Sequence, residues 1–144
     1  MTDYATDILV WSERQGALLR RRATGELVND RDLDSPTIAD DIKRVGRTQL
    51  TMVRSHITQA LAHDLKAAAR PSPQPTPGSH AEAIRFREEA GEAFAPSMCQ
   101  HIDMAKLYAL AVRRLPATID GQPPLPIPMA CPMPLDELLA ADDP

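Results

Sequence analysis

The chain has 144 residues, of which 43% are apolar and 25% are charged, the usual balance of a globular domain. A formal net charge of -4 argues against a protein that binds duplex DNA by neutralising its phosphates. No apolar run reaches the roughly 20 residues of a membrane-spanning helix. The first residues, MTDYATD, lack the basic and then apolar pattern of a signal peptide.

We therefore expect a cytoplasmic protein that contacts neither nucleic acid nor a membrane. Its two cysteines, Cys99 and Cys131, are too few for a disulfide framework. In a reducing cytoplasm both should be free thiols.

The first two predicted helices are amphipathic. Residues 3–22 place five apolar side chains within about 100° of one another around the helix axis, the width of one buried stripe. These side chains are Tyr4, Ile8, Trp11, Leu18 and Leu19. Ser35 and Pro36 suit the N-cap and first turn of a second helix over residues 36–69, whose apolar pattern includes Ile38, Ile42 and Val45. At about 50 Å this helix is either the spine of the domain or bent, with Gly46 as the favoured bend.

Prolines divide the rest of the chain. Four of them lie in residues 71–78 and predict a linker, after which Ser79 and Glu82 match a capping box that opens a third helix. The third helix is expected over residues 79–94 and a fourth, restarted by Pro96-Ser97, over residues 97–115. Residues 116–133 are rich in proline, and the alternative to disorder is an extended strap over a helical groove. The strap is favoured because apolar residues alternate there with small residues or proline; these are Leu125, Ile127, Met129, Cys131 and Met133. A docked strap should largely bury Ile127, Cys131 and Leu135. A short helix over residues 134–140 follows.

These elements predict an all-α protein. It should form a single helical-bundle-like domain over residues 1–144, with four main helices, a proline-rich C-terminal strap and a short last helix. No segment outside the tail alternates as a sheet requires, so well over half of the residues should be helical.

The sequence carries no motif for a metal, a phosphate loop or a catalytic nucleophile. Cys99 and His101 form a Cys-x-His pair, but a structural zinc site needs four ligands. Asp40 and Asp41 are adjacent on a helix and point about 100° apart, so they cannot face one ion. We predict no metal, no cofactor and no catalytic residue.

Polar side chains interrupt the apolar stripes of the first two helices. Gln49, His56 and His63 recur every seven residues, so they share one face of the second helix. Gln15 lies within the stripe of the first helix, and antiparallel packing would bring it toward Asp41 or Gln49. Because a buried amide needs partners, we expect Gln15 to bond with one of these two, and His63 to be mostly buried.

Two interpretations of this polar row are open. Gln15, Asp41, Gln49, His56 and His63 are either structural groups that satisfy one another and fix helix register, or the lining of a small-ligand pocket. A metal ion cannot bridge His56 and His63, because they lie about 10.5 Å apart along the axis.

Several short motifs occur in order along nearly the whole chain. They are Tyr4…Asp7…Trp11…Gln15…Leu18-Leu19-Arg20; Ile38-Ala39-Asp40-Asp41-Ile42 with Gly46-Arg47; Leu61-Ala62-His63-Asp64-Leu65-Lys66; Pro96-Ser97-Met98; and Ile127-Pro128 with Cys131-Pro132 and Leu135-Asp136-Glu137-Leu138-Leu139. In this combination the chain resembles a bacterial family catalogued as domain of unknown function twenty-nine. The resemblance implies an all-helical fold and brings no known activity.

The function is open between two classes. The missing catalytic motifs and the alanine-rich helices favour a non-enzymatic protein-interaction or adaptor protein of the bacterial cytoplasm. Its expected partner is a second copy, in a homodimer, or an unidentified protein. The alternative is a small-ligand-binding or enzymatic protein that uses the polar pocket between the first two helices.

Overall fold

The computed structural model describes residues 3–71 and 78–140, and the chain within these ranges is all-α. The helices are α1 over Ile8–Ala23, α2 over Ser35–Ala68, α3 over Ser79–Ala93, α4 over Met104–Arg113 and α5 over Leu135–Leu139. Short 3₁₀ helices cover Asp3–Ala5 and Pro96–His101. No strand occurs in the described ranges, and the predicted fold class is confirmed. None of the described helices combines the length and apolarity needed to cross a bilayer.

The chain packs as two compact units, Met1–Gly46 and Arg47–Pro144. Helix α2 contributes its first part to the first unit and the remainder to the second unit. It stays helical through Gly46, where the sequence favoured a bend. The single domain expected from the sequence stays a prediction.

Helix α1 begins later than its apolar pattern indicated. Asp7 is its N-cap, and the carboxylate accepts the N–H of Val10 at 3.1 Å. This capping bond fixes the first turn at Ile8 and leaves Asp3–Ala5 as a separate 3₁₀ helix. At the other end of α1, the basic side chains are held by the following loop, since Arg21 pairs with Glu26 at 2.8 Å.

The first unit is a hairpin of α1 and the beginning of α2. The Tyr4 hydroxyl donates to Asp41 at 3.1 Å, and the Trp11 indole N–H donates to Asp34 at 3.2 Å. Trp11 follows Tyr4 in the chain, whereas its partner Asp34 precedes Asp41. The two helices are therefore antiparallel. Among the described residues of this unit, the apolar side chains that are buried are Trp11 and Leu33.

The second unit has a larger core around the remainder of α2. Val53, Ile57, Leu61 and Leu65 recur every four residues and form one buried stripe. The stripe packs against residues of three other helices, namely Ala90 of α3, Leu107, Tyr108 and Ala111 of α4, and Leu138 of α5. Leu138 is fully buried, so the short α5 is an integral part of this core.

The predicted fourth helix over residues 97–115 is wrong in its first part. Residues Pro96–His101 form a 3₁₀ helix, and Ile102 has extended backbone angles. Asp103 then caps α4 by accepting the N–H of Ala105 at 3.1 Å, while Arg54 Nε donates to the His101 carbonyl at 3.0 Å. These two side chains satisfy backbone groups at the break, so a new helix starts at Met104.

The proline-rich strap is docked, as the sequence predicted. Its first residues make a tight turn at Asp120-Gly121, where both residues have positive φ, as a type I′ turn requires. The N–H of Leu125 donates to the carbonyl of Ala69 at 2.7 Å. Further along, Ile127 and Cys131 pack against the core of the second unit, half-buried rather than largely buried.

The predicted linker over residues 71–78 falls mostly on residues 72–77, which lie outside the described residues. Helix α3 begins at Ser79, as expected. Its N-cap is Gly78, which makes no side-chain capping bond, so the expected capping box with Ser79 as N-cap is wrong.

The burial of α5 generates a stability prediction. Leu138→Ala should lower the free energy of unfolding by about 2–5 kcal/mol, because it opens a cavity in a fully packed site. Met129→Ala, at a fully exposed position of the strap that precedes α5, is the control and should change the free energy of unfolding by less than about 0.5 kcal/mol. Urea unfolding followed by circular dichroism measures both; equal stabilities would contradict the docking of α5.

Candidate functional site

Gln15 is buried on the inner side of α1, with 7% of its surface exposed. Its Nε2 donates to the carbonyl of Asp32 at 3.1 Å, and its Oε1 accepts the N–H of Asp34 at 3.0 Å. The expected partners Asp41 and Gln49 were therefore wrong, because the loop between the helices supplies the nearest backbone groups. With both ends of its amide occupied, Gln15 fixes the loop that leads into α2.

Asp41 belongs to a different cluster of the first unit. Its carboxylate accepts from the Tyr4 hydroxyl at 3.1 Å and from Arg44 at 3.0 Å. Arg44 also donates to the Tyr4 hydroxyl, and this hydrogen bond, together with the charge of Asp41, raises the pKa of the guanidinium. The cluster joins the start of the chain to α2.

His56 and His63 meet at one aromatic ring in the second unit. Both imidazoles stack on Phe86 of α3, at centroid distances of 5.9 Å and 5.6 Å. His56 Nδ1 lies 3.3 Å from a carboxylate oxygen of Glu89 without hydrogen-bond geometry, and His63 Nδ1 is buried with no hydrogen-bond partner. The His63 side chain as a whole is half-buried, less than the sequence predicted.

The surroundings of Phe86 are charged. The Arg85 guanidinium lies 4.5 Å from the Phe86 ring centroid and is held by Glu82 at 2.6 Å and Glu89 at 3.1 Å. The bond to Arg85 lowers the pKa of Glu82, and the nearby His63 adds to this effect. The histidine pair therefore contributes to the packing of α3 on α2, within a network of exposed ion pairs.

The five predicted site residues are thus not one cluster. Gln15 and Asp41 lie in the first unit with separate partners, His56 and His63 share Phe86 in the second unit, and Gln49 is exposed. A shallow groove of about 380 Å³ runs along α2 and includes His56. In the described parts of the chain, no three metal-ligating side chains converge. Ligand binding by the five residues stays a prediction.

Tyr108 is the most deeply buried titratable group that holds the strap. Its hydroxyl donates to the carbonyl of Pro128, and burial, with a smaller contribution from Cys131, raises the pKa of the phenol. Cys131 donates its thiol hydrogen to the carbonyl of Met133 at 3.2 Å, whereas Cys99 is exposed. These bonds fasten an extended segment that has few backbone bonds of its own.

Large apolar side chains remain uncovered on the first unit. They define a surface that we call the hairpin face: Ile8, Leu9, Leu19, Ile42 and Val45, each between 41% and 67% exposed. The sequence placed most of them in buried stripes, and this was wrong. The inner sides of the hairpin are occupied by Trp11 and Gln15 on α1 and by Asp34 and Asp41 at the start of α2.

The members of the hairpin face lie on one side of the hairpin. At about 100° per residue, Ile8 and Leu19 are rotated by roughly 40–60° from the direction of Trp11 and Gln15, and Leu9 by roughly 140° in the same sense. Ile42 and Val45 are rotated in the same sense from the direction that Asp34 and Asp41 define. In antiparallel helices, rotation in the same sense turns both sets of side chains to the same side.

Val10 is the counterexample on α1. It is 49% exposed, but it is rotated by roughly 120° in the opposite sense and belongs to the other side of the hairpin. The hairpin face is therefore one continuous side, and the apolar residues in both helices were the signal for it. The periodic pattern identified the stripe and could not identify what covers it.

The fold and the site define the class: an all-α protein with an uncovered apolar hairpin side and no metal-ligand cluster among its described residues. The model of one family, the domain of unknown function DUF29, matches residues 4–142. The chain belongs to this family, as its motifs indicated. No curated protein and no solved structure matches the chain at a significant level.

The bonds of Gln15 predict a local loss of stability in the first unit. Gln15→Leu should lower the free energy of unfolding by about 1–3 kcal/mol, because it removes the two part-buried hydrogen bonds that hold the backbone of the loop. Trp11 is the single tryptophan of the chain, so its fluorescence reports on this unit alone. Gln49→Leu, at an exposed position, is the control; a loss of the same size there would contradict the role of Gln15.

The raised pKa of Tyr108 predicts an alkaline effect. Below the ordinary phenol pKa of 10.0 the buried, protonated Tyr108 contributes its full stability, which falls as the pH rises further toward its folded pKa. Tyr108→Phe should cost about 0.5–1.5 kcal/mol at neutral pH, through the lost bond to Pro128, and should flatten the alkaline decline. Urea unfolding at a series of pH values from pH 8 upward measures this effect. Tyr4→Phe is the control and should leave the alkaline decline in the free energy of unfolding unchanged.

Proposed function

We propose that this protein is a non-enzymatic protein-interaction module that binds its partner through the hairpin face. The observation that carries the proposal is the exposure of five large apolar side chains on one side of a two-helix unit. Single exposed apolar residues are common on protein surfaces, whereas contiguous apolar patches mark interaction sites.

The size of the first unit supports the proposal. It has 46 residues, and its buried apolar side chains within the described range are Trp11 and Leu33. The core of a unit below about 70–80 residues rarely contributes more than about 3–5 kcal/mol of stability, and oligomerisation is one common way in which small units gain more. Covering the hairpin face would supply the missing apolar burial.

The arrangement of the polar residues favours binding over catalysis. Gln15 and Asp41 use their polar atoms in contacts that hold the loop and the start of the chain. The histidines meet at Phe86, where no group of three metal-ligating side chains converges among the described residues. The alternative of a small-ligand pocket stays a prediction that no contact among these residues favours.

The location that we propose is the bacterial cytoplasm. Cys99 and Cys131 are both free thiols, one exposed and one half-buried, which suits a reducing compartment. The bacterial source rests on the family resemblance of the motifs.

Site-specific photo-crosslinking in the native cell tests the proposed function. A photoreactive side chain at Val45 should give discrete crosslinked species, because this position lies within the hairpin face. The same side chain at Val10, equally apolar and exposed on the other side, is the matched control and should give none. Adding Ile42→Glu should abolish the Val45 products, since it places a charge in the contact.

The absence of crosslinked species at Val45, or identical species at Val45 and Val10, would overturn the proposal. Identical products with and without Ile42→Glu would have the same consequence, because the partner would then not be held by apolar contact.

A further inference from the structure

We infer that the occupant of the hairpin face is a second copy of this chain, so that two α1–α2 hairpins form a four-helix bundle around a twofold axis. The inference rests on the proposed function and names its partner. It is argued from the shape of the hairpin, the area that it offers and its charge.

The shape is that of half a bundle. Two antiparallel helices with their apolar side chains on one side form a layer, and a second layer against that side completes a four-helix core. A twofold contact uses the same patch on both copies, so it requires only that the patch be complementary to itself. A flat layer of Ile, Leu and Val side chains meets this condition, since each copy presents the same mixture of knobs and gaps.

Small residues on the same side allow the layers to approach closely. Gly16 of α1 and Gly46 of α2 are rotated in the same sense as the hairpin face. A methyl group on either glycine would meet no atom of another element within 4 Å in the described residues, so the space above both is open there. A small residue leaves a gap among large apolar side chains on a helix, and a large side chain of the other copy can pack into this gap.

The area sets a further condition. Helix α1 is about 24 Å long and packed helices lie about 8–10 Å apart, so one side of the hairpin offers on the order of 500 Å² in projection. Contact along the whole side then buries on the order of 1,000 Å² in total, the lower bound for a specific interface. A contact along the edge of one helix would bury less than this area. The inference therefore requires both helices of each copy to take part.

The charge of the hairpin permits this contact. Residues 1–46 contain seven basic and nine acidic residues, so two copies meet without a strong net charge on either. The hairpin face itself carries no charged side chain. Bringing two such faces together therefore removes apolar surface from water without burying an unpaired charge.

Light scattering coupled to size exclusion tests the inference on the full chain. The wild-type protein should have twice the 15.8 kDa mass of one chain at tens of micromolar concentration. Ile42→Glu should shift the mass to that of one chain while circular dichroism keeps its helical signal. Val10→Glu, the control on the other side of the hairpin, should leave the dimer intact.

Leu19→Lys provides a second route if Ile42→Glu fails to fold, because it alters the same face from α1. A monomeric wild-type protein would overturn the inference, and so would a dimer that survives both hairpin-face variants. If the wild-type protein is monomeric while the Val45 crosslinks to another protein persist, the inference fails and the proposed function stands. If those crosslinks are missing as well, both fail.

Discussion

Two packed helices can cover each other only along the strip where they touch, and this limit governs the first unit. The strip between α1 and the start of α2 is occupied by Trp11 and Gln15 on one side and by Asp34 and Asp41 on the other. Within the described part of the first unit, no third α-helix covers the apolar side chains a quarter turn away, such as Ile42, which is 67% exposed. All buried side chains of α2 belong to its second part, from Val53 onward, where other helices surround it.

In the second unit, the strap covers apolar side chains that the packed helices alone would leave exposed. Its proline-rich segment cannot extend a helix, but proline restricts the unfolded chain and so lowers the entropy that docking removes. Tyr108 and the carbonyl of Ala69 bond to its backbone, and Leu138 completes the core beyond it. Residues that look like a disordered tail by composition therefore close the helical core, because apolar side chains alternate with the prolines.

The sequence predicted those elements whose ends carry local chemistry. Ser35-Pro36 placed the start of α2 within one residue, and the proline before Leu135 did the same for α5. The failures at the start of α1 and before α4 share one cause, since Asp7 and Asp103 are N-caps inside segments with helical periodicity. Periodicity reports which residues share a face, whereas a capping aspartate decides where the backbone can first turn.

The candidate site shows a deeper limit of the same kind. That Gln15 needs partners followed from its place in an apolar stripe, but the atoms that satisfy it belong to a loop whose path no periodic pattern records. The apolar stripe of α2 has the same ambiguity. An amphipathic pattern predicts that one face of a helix is shielded from water, but it does not identify the helix, loop or second molecule that covers this face. Where the folded unit leaves such a face open, the free energy of burying it is still available to association. For this reason our proposal for the function rests on the exposed Ile42 and Val45 and not on the polar row that the sequence predicted.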